Sequence, residues 1–114
     1  NYWVIPTLQT KNKKMSKEML AQNIINKVCK YYGTDVKLVY KKLRTDDVVL
    51  SRHMAMYLVN RLVKINSSEM AKIFQKDRTT ILHGVSRIEN LLSLRHEVDL
   101  KKDVENIYFL LEMH

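Results

Sequence analysis

Polar donors gather at the start of an amphipathic segment that follows Asp77. Its apolar residues recur at helical spacing, which predicts a helix with one buried face; they are Ile81, Val85, Ile88 and Leu92. The residues that face away from this stripe in the first two turns are Arg78, Thr79, Thr80 and His83. A recognition helix presents such donors and short hydroxyls at its exposed N-terminal end to base edges in a DNA major groove. The segment therefore fits either a helix that contacts duplex DNA or an ordinary amphipathic helix of an α-helical protein, and its spacing alone does not distinguish the two.

A shorter amphipathic segment comes directly before this helix. Ser67 is predicted to cap it, and Glu69 lies in its first turn. Its inward face consists of Met70, Ile73 and Phe74. We place the turn at Gln75-Lys76, with Asp77 as the cap of the second helix. The pair is predicted to form a helix-turn-helix, a geometry that also occurs in folds that never touch DNA.

Three stretches carry a resemblance to a known family, in the family's order and at its separations. They are Lys30-Tyr31-Tyr32-Gly33, Arg52-His53-Met54-Ala55-Met56-Tyr57-Leu58 and Asp77-Arg78-Thr79-Thr80-Ile81-Leu82-His83. Over about residues 20 to 94 the chain resembles the C-terminal DNA-binding domain of the bacterial replication initiator DnaA, or a stand-alone domain of that kind. It departs from the family at Arg78, where the family has histidine, in a turn one residue shorter before Asp77, and at Asp46.

The resemblance implies an all-α fold of about six helices with a central helix-turn-helix, which docks as a monomer on an asymmetric DNA box. The residues that it assigns to DNA binding are Lys42, Arg44, Arg52, His53, Asp77, Arg78, Thr79, Thr80 and His83. Arg44 matches an arginine that enters the minor groove, with Lys42 beside it, and Arg52 and His53 match positions of phosphate contact. Asp46 falls where the family carries another basic residue, so this loop should hold DNA less tightly.

Charge is unevenly distributed along the chain of 114 residues, whose formal net charge is +8. Residues 1–87 contain 17 Lys or Arg and 6 Asp or Glu, whereas residues 88–114 contain 3 and 6. A basic surface in the first three-quarters favours a polyanionic partner, because neutralised phosphates release counterions. The alternative interpretation is that the charge serves solubility alone.

The other segments complete the predicted domain. Ser16 begins a long helix that Gly33 ends, and Thr34-Asp35 begins a short one. A third helix is predicted from Val48 to Val63 with Asp47 as its cap, and a final acidic helix over residues 93–114. That final helix is expected to close the core away from DNA, with an apolar line of Leu100, Val104, Ile107 and Leu111. We expect residues 16–114 to form the helical DNA-binding domain.

Residues 1–15 are expected to be an N-terminal tail or linker. Their apolar residues 2–6 could form a short strand, a clip onto the domain, or a docking segment for a partner protein, while Lys11, Lys13 and Lys14 make the rest basic. The chain begins with Asn rather than Met, which suggests a fragment or a processed product. The candidate partners besides duplex DNA are upstream domains or a protein that docks on residues 2–6.

Several kinds of site are not expected. The one cysteine, Cys29, lies among the apolar positions of a helix, which indicates a core residue rather than a disulfide. The four histidines are dispersed, so no zinc site is predicted, and there is no Gly-rich phosphate loop. We expect no cofactor and no catalysis. No apolar run is long enough for a membrane span, so a cytoplasmic protein is expected.

Three functional classes stay open at this point. The first is a DNA-binding module in replication initiation or its regulation. The second is a transcriptional regulator or mobile-element protein with a similar domain. The third is a helical protein-interaction module that has lost DNA binding. Asp46 favours this third class, whereas Thr79, Thr80 and His83 favour the two DNA-binding classes.

Overall fold

Six helices make up residues 16–112, the part of the chain that the computed structural model describes, and no strand occurs among these residues. They are α1 (Lys17–Tyr32), α2 (Val36–Val39), α3 (Asp46–Leu62), α4 (Ser67–Phe74), α5 (Arg78–Leu92) and α6 (Val98–Glu112). The predicted all-α class with a helix-turn-helix, α4 and α5, is confirmed. The tail proposed for residues 1–15 lies outside the described residues.

The ends of α1 follow from local chemistry, as predicted. Ser16 has an extended backbone, and its Oγ accepts a hydrogen bond from the Met19 amide at 3.1 Å. At the other end Gly33 adopts the left-handed conformation, with φ of 69°, which costs glycine little because it has no Cβ. Asp35 then caps α2 by accepting from the Lys37 amide at 3.0 Å.

The start of α3 corrects one prediction. The helix begins at Asp46 after Thr45, so Asp47 is not its cap. Both acids instead lie in the first turn, where a negative charge favourably meets the positive end of the helix dipole. Asp47 therefore stabilises the start of α3 from the first turn and not from the cap position.

The start of α4 corrects a second prediction, because Asn66 and not Ser67 is its cap. The Asn66 Oδ1 accepts from the Glu69 amide at 2.8 Å, and the Glu69 carboxylate accepts from the Asn66 amide at 3.2 Å. This reciprocal capping box satisfies two amides that the first turn would otherwise leave unpaired. Ser67 is left as the first residue of the helix, with its hydroxyl available to another partner.

The core is organised around α3, which packs against α1 on one side and α5 on another. Gly84 allows the close approach of α5, since a Cβ there would lie 2.6 Å from the Met56 Sδ and 3.0 Å from the His53 Cδ2. Arg61 of α3 also forms an ion pair with Glu89 of α5, and its guanidinium lies 5.5 Å from the Tyr57 ring centroid. These contacts fix the position of the recognition helix on α3.

The last helix begins at Val98 rather than Ser93, because Ser93 ends α5 and a turn intervenes. Its buried line is the predicted one, Leu100, Val104, Ile107 and Leu111. The hydroxyls of Tyr31 and Tyr32 each donate to the Asp103 carboxylate at 2.8 Å and so join α1 to α6. No helix within the described range is long and apolar enough to cross a membrane.

Candidate nucleic-acid interface

The recognition helix α5 divides into two faces, as its sequence period predicted. Its buried residues are Ile81, Gly84, Val85, Ile88 and Leu92. Arg78, Thr79 and His83 are exposed in the first two turns, whereas Thr80 is half-buried. Leu82 is also exposed, at 52% of its surface, beside these polar residues. The exposed face therefore offers hydroxyl, imidazole and guanidinium groups together with one large apolar side chain.

Asp77 occupies the cap position of α5, so the predicted place of the cap is confirmed. Its backbone is extended, with φ of −66° and ψ of 152°, and its side chain accepts no hydrogen bond from the helix. The carboxylate is instead exposed at the N-terminal end of the recognition helix.

Arg78 is tied back to the preceding helix. Its Nε donates to the Ser67 Oγ at 3.2 Å, which uses the hydroxyl that Asn66 has left free by capping α4. Within residues 16–112 no carboxylate forms an ion pair with the Arg78 guanidinium. Because Nε carries this bond, the two terminal nitrogens are left to contact a ligand.

The turn between α4 and α5 is where the sequence placed it. Gln75 adopts a left-handed backbone with φ of 58°, and among the described residues it is the one non-glycine with positive φ. The Lys76 amide donates to the Ala71 carbonyl at 3.0 Å, which closes the end of α4. A left-handed non-glycine residue costs of the order of 1 kcal/mol, so the short turn is held by its surroundings.

Lys76 is a residue whose role sequence reasoning missed. Its Nζ donates to the carbonyls of Tyr40 at 3.2 Å and Lys41 at 2.8 Å, in the segment between α2 and α3. Burial lowers the pKa of Lys76, and the nearby Arg52 and Lys42 charges lower it further. The helix-turn-helix is therefore attached directly to the segment that carries the predicted basic loop.

The loop itself presents the expected cations. Lys41, Lys42 and Arg44 are all exposed between the end of α2 and the start of α3. Asp46 and Asp47 come after Thr45 and are also exposed. The positive charge of the loop thus ends where the first turn of α3 begins.

Arg52, for which a phosphate contact was predicted, is buried, with only 7% of its surface exposed. Its Nε donates to the Val39 carbonyl at 3.0 Å, and its Nη2 donates to the carbonyls of Lys41 at 2.7 Å and Leu43 at 3.0 Å. The guanidinium fork suits this task because it presents several donors in one plane. Arg52 therefore supports the loop from inside instead of lying on the surface.

His53, the other residue for which a phosphate contact was predicted, is half-buried between α3 and α5. Its ring centroid lies 6.1 Å from that of His83 in an edge-to-face arrangement. Burial lowers the pKa of His53 to about 4, and the positive charges of His83, Arg52 and Arg87 act in the same direction. At pH 7 the ring is neutral, so it contributes no charge to a phosphate.

The buried His53 leads to a prediction for the pH dependence of stability. An unfolded chain binds a proton at this ring near pH 6.5, whereas the folded domain binds it near pH 4, so acidification over this range favours unfolding. Urea unfolding should show a free energy of unfolding that decreases from about pH 6.5 to 4. His53→Gln should flatten the decrease, while His96→Gln, at an exposed position, should keep it. Parallel profiles for wild type and His53→Gln would contradict the assignment.

The described residues hold no group of three or more His, Cys, Asp or Glu side chains that could bind a metal ion. Cys29 is buried in α1, and burial raises the pKa of its thiol to about 11, with Asp35 adding to the effect. Its predicted place in the core is confirmed.

Comparison with known proteins places this geometry in context. The family model described as "Bacterial dnaA protein helix-turn-helix" matches residues 21–88. The chain is similar to the chromosomal replication initiator protein DnaA of Streptococcus thermophilus, with 34% identity over 87 residues, 72% of this chain and 19% of the relative. It is also similar to the protein of that name from Bacteroides fragilis, with 33% identity over 100 residues, 85% of this chain and 20% of the relative.

A third relative of the same name, from Caldanaerobacter subterraneus, is 27% identical over 92 residues, 81% of this chain and 20% of the relative. The chain thus spans about a fifth of the length of the curated relatives that it matches.

Proposed function

The chain belongs to the bacterial DnaA helix-turn-helix family, and on that premise we propose that its helical domain binds duplex DNA with sequence preference, in replication initiation or its regulation. One observation supports this most strongly. The exposed start of α5 and the cationic loop before α3 are joined by the two Lys76 hydrogen bonds. A reading helix and a phosphate-binding loop are thereby presented together.

In this proposal the two parts have different tasks. The loop cations Lys42 and Arg44 contact phosphates and the minor groove, which sets affinity and position. The start of α5 contacts base edges, with Thr79 and His83 as hydrogen-bonding groups. The exposed Asp77 carboxylate suits the amino group of a cytosine, and the exposed Leu82 suits the methyl group of a thymine.

In this proposal Arg52 and His53 position other groups and do not contact phosphates themselves. Arg52 acts through the loop that it supports, because its guanidinium is bonded to backbone carbonyls. His53 acts as a neutral contact to His83, whose ring belongs to the reading face. Both residues then serve DNA binding by positioning the groups that touch it.

The loop supplies a direct test of this proposal by fluorescence anisotropy on a labelled duplex. The double variant Lys42→Ala/Arg44→Ala should bind at least about tenfold more weakly, with a log–log salt dependence less steep by about 2. The matched control is Arg95→Ala/Lys102→Ala, which removes the same charge from exposed positions in α6 and the turn before it. Equal losses for the two variants would reject a localised interface and leave only diffuse attraction.

A protein-interaction module is the second candidate, and the exposed Asp46 and Asp47 favour it, because acids beside a phosphate backbone reduce affinity. No measurable duplex binding at low salt would support this candidate. A transcriptional regulator or a mobile-element protein would use the same face as an initiator. Selection of bound sites from a random duplex pool would identify the preferred box and separate these processes by where the box occurs.

A further inference from the structure

Two cations from different elements meet on one backbone carbonyl of the loop. The Lys41 carbonyl accepts from the Arg52 Nη2 at 2.7 Å and from the Lys76 Nζ at 2.8 Å. Arg52 belongs to α3, while Lys76 belongs to the turn of the helix-turn-helix. Helix α3 and the turn between α4 and α5 thus hold the loop at the same carbonyl oxygen.

We propose that Arg52 and Lys76 form a clamp that fixes the loop of Lys41–Arg44 relative to α5, so that loop and recognition helix engage DNA as one unit. Both are positioning residues, since each bonds protein carbonyls. The inference rests on the proposed DNA binding and extends it, because it assigns to Lys76 the task of coupling two contact surfaces.

The backbone of this segment explains why a clamp is needed. Carbonyls at the end of a helix have no partner within the helix, and α2 is only 4 residues long. Arg52 bonds the carbonyls of Val39, Lys41 and Leu43, and Lys76 bonds those of Tyr40 and Lys41. The two side chains therefore bond the three consecutive carbonyls of residues 39–41 and the carbonyl of Leu43 within the cationic loop.

The charge of the segment makes the arrangement responsive to a polyanion. Burial lowers the pKa of Lys76, and the charges of Arg52 and Lys42 lower it further. Burial also lowers the pKa of Arg52, and the charge of Arg44 adds to this effect. These cations repel one another in the free protein. A DNA phosphate at the loop would relieve that repulsion, so DNA binding should tighten the clamp rather than compete with it.

A double-mutant cycle separates the clamp from a direct phosphate contact by Lys76. Lys76→Met keeps the length of the side chain and removes its donors, and it should weaken duplex binding by about tenfold. In the Lys42→Ala/Arg44→Ala background the same change should cost less than about twofold, because the loop contacts that the clamp positions are already gone. Equal losses in both backgrounds would overturn the proposal, since an independent phosphate contact is additive.

The matched control for this cycle is Lys72→Met. Lys72 is exposed on α4, four residues before Lys76. Its substitution removes the same charge and leaves the bonds to the loop carbonyls in place. It should leave the affinity within about twofold of wild type. A loss as large as that of Lys76→Met would show that total charge and not the clamp is responsible.

Hydrogen exchange on the free protein tests the clamp without DNA. Lys76→Met should speed the exchange of the Lys41 amide, which donates to the Leu38 carbonyl at 3.2 Å at the start of the loop, while the amides of α5 keep their protection. Arg52→Lys, which keeps the charge but loses the fork, should do the same. Unchanged exchange in the loop would overturn the clamp. Failure of the wild type to bind any duplex would instead reject the proposed function, so the two failures are distinguishable.

Discussion

Affinity for duplex DNA should fall by about 60- to 1000-fold when the salt concentration rises from about 50 to 200 mM, a log–log slope of roughly −3 to −5. In the proposed complex the exposed loop cations Lys41, Lys42 and Arg44 would supply the phosphate contacts. Arg52 is omitted from the set because its donors are bonded to carbonyls. His53 is omitted because its lowered pKa leaves it neutral. Each neutralised phosphate releases counterions, whose release is less favourable in concentrated salt.

The measurement is an anisotropy titration of one labelled duplex at four or more salt concentrations and constant pH. A matched series with Lys42→Ala/Arg44→Ala shows which part of the slope belongs to the loop. A slope near zero with measurable binding would contradict groove docking. A slope steeper than about −6 would mean that more cations contact DNA than the exposed set provides.

Arg78 should read a guanine, so that Arg78→Ala loses about 1–3 kcal/mol on the preferred site and little on random DNA. Its planar fork matches the O6 and N7 acceptors of guanine, whereas the histidine at this position in the resembled family offers at most one donor at each nitrogen. The hydrogen bond from its Nε to the Ser67 Oγ leaves the two terminal nitrogens for the base. Ser67 thereby orients the side chain that reads.

Binding to single-base variants of one selected site distinguishes a base contact by Arg78 from a phosphate contact. Arg78→Ala should lose affinity only where the guanine is present, and Arg78→His should move the preference toward the family's box. Arg87→Ala is the matched control, because Arg87 is exposed farther along the same helix. An equal loss on every variant would show that Arg78 bonds a phosphate and carries no sequence information.

Short-range patterns account for what the sequence determined by itself. The period of Ile81, Val85 and Ile88 predicted the buried face of α5 and the exposure of Arg78, Thr79 and His83, and these are confirmed. Ser16 and Gly33 marked the ends of α1 correctly. Such features depend on a few neighbouring residues, so helical spacing and cap chemistry are enough to predict them. The exceptions were the starts of α3, α4 and α6, each of which lies a few residues from its predicted place.

Tertiary packing alone decided the surroundings of Arg52, His53 and Lys76. Arg52 has the sequence context of a surface cation near a helix start, yet contacts with the segment between α2 and α3 bury it. The lowered pKa of His53 depends on burial between α3 and α5, and the role of Lys76 depends on carbonyls 35 and 36 residues away. Burial and hydrogen bonding between distant residues follow from how helices pack, and helical period carries no information about a partner on another element.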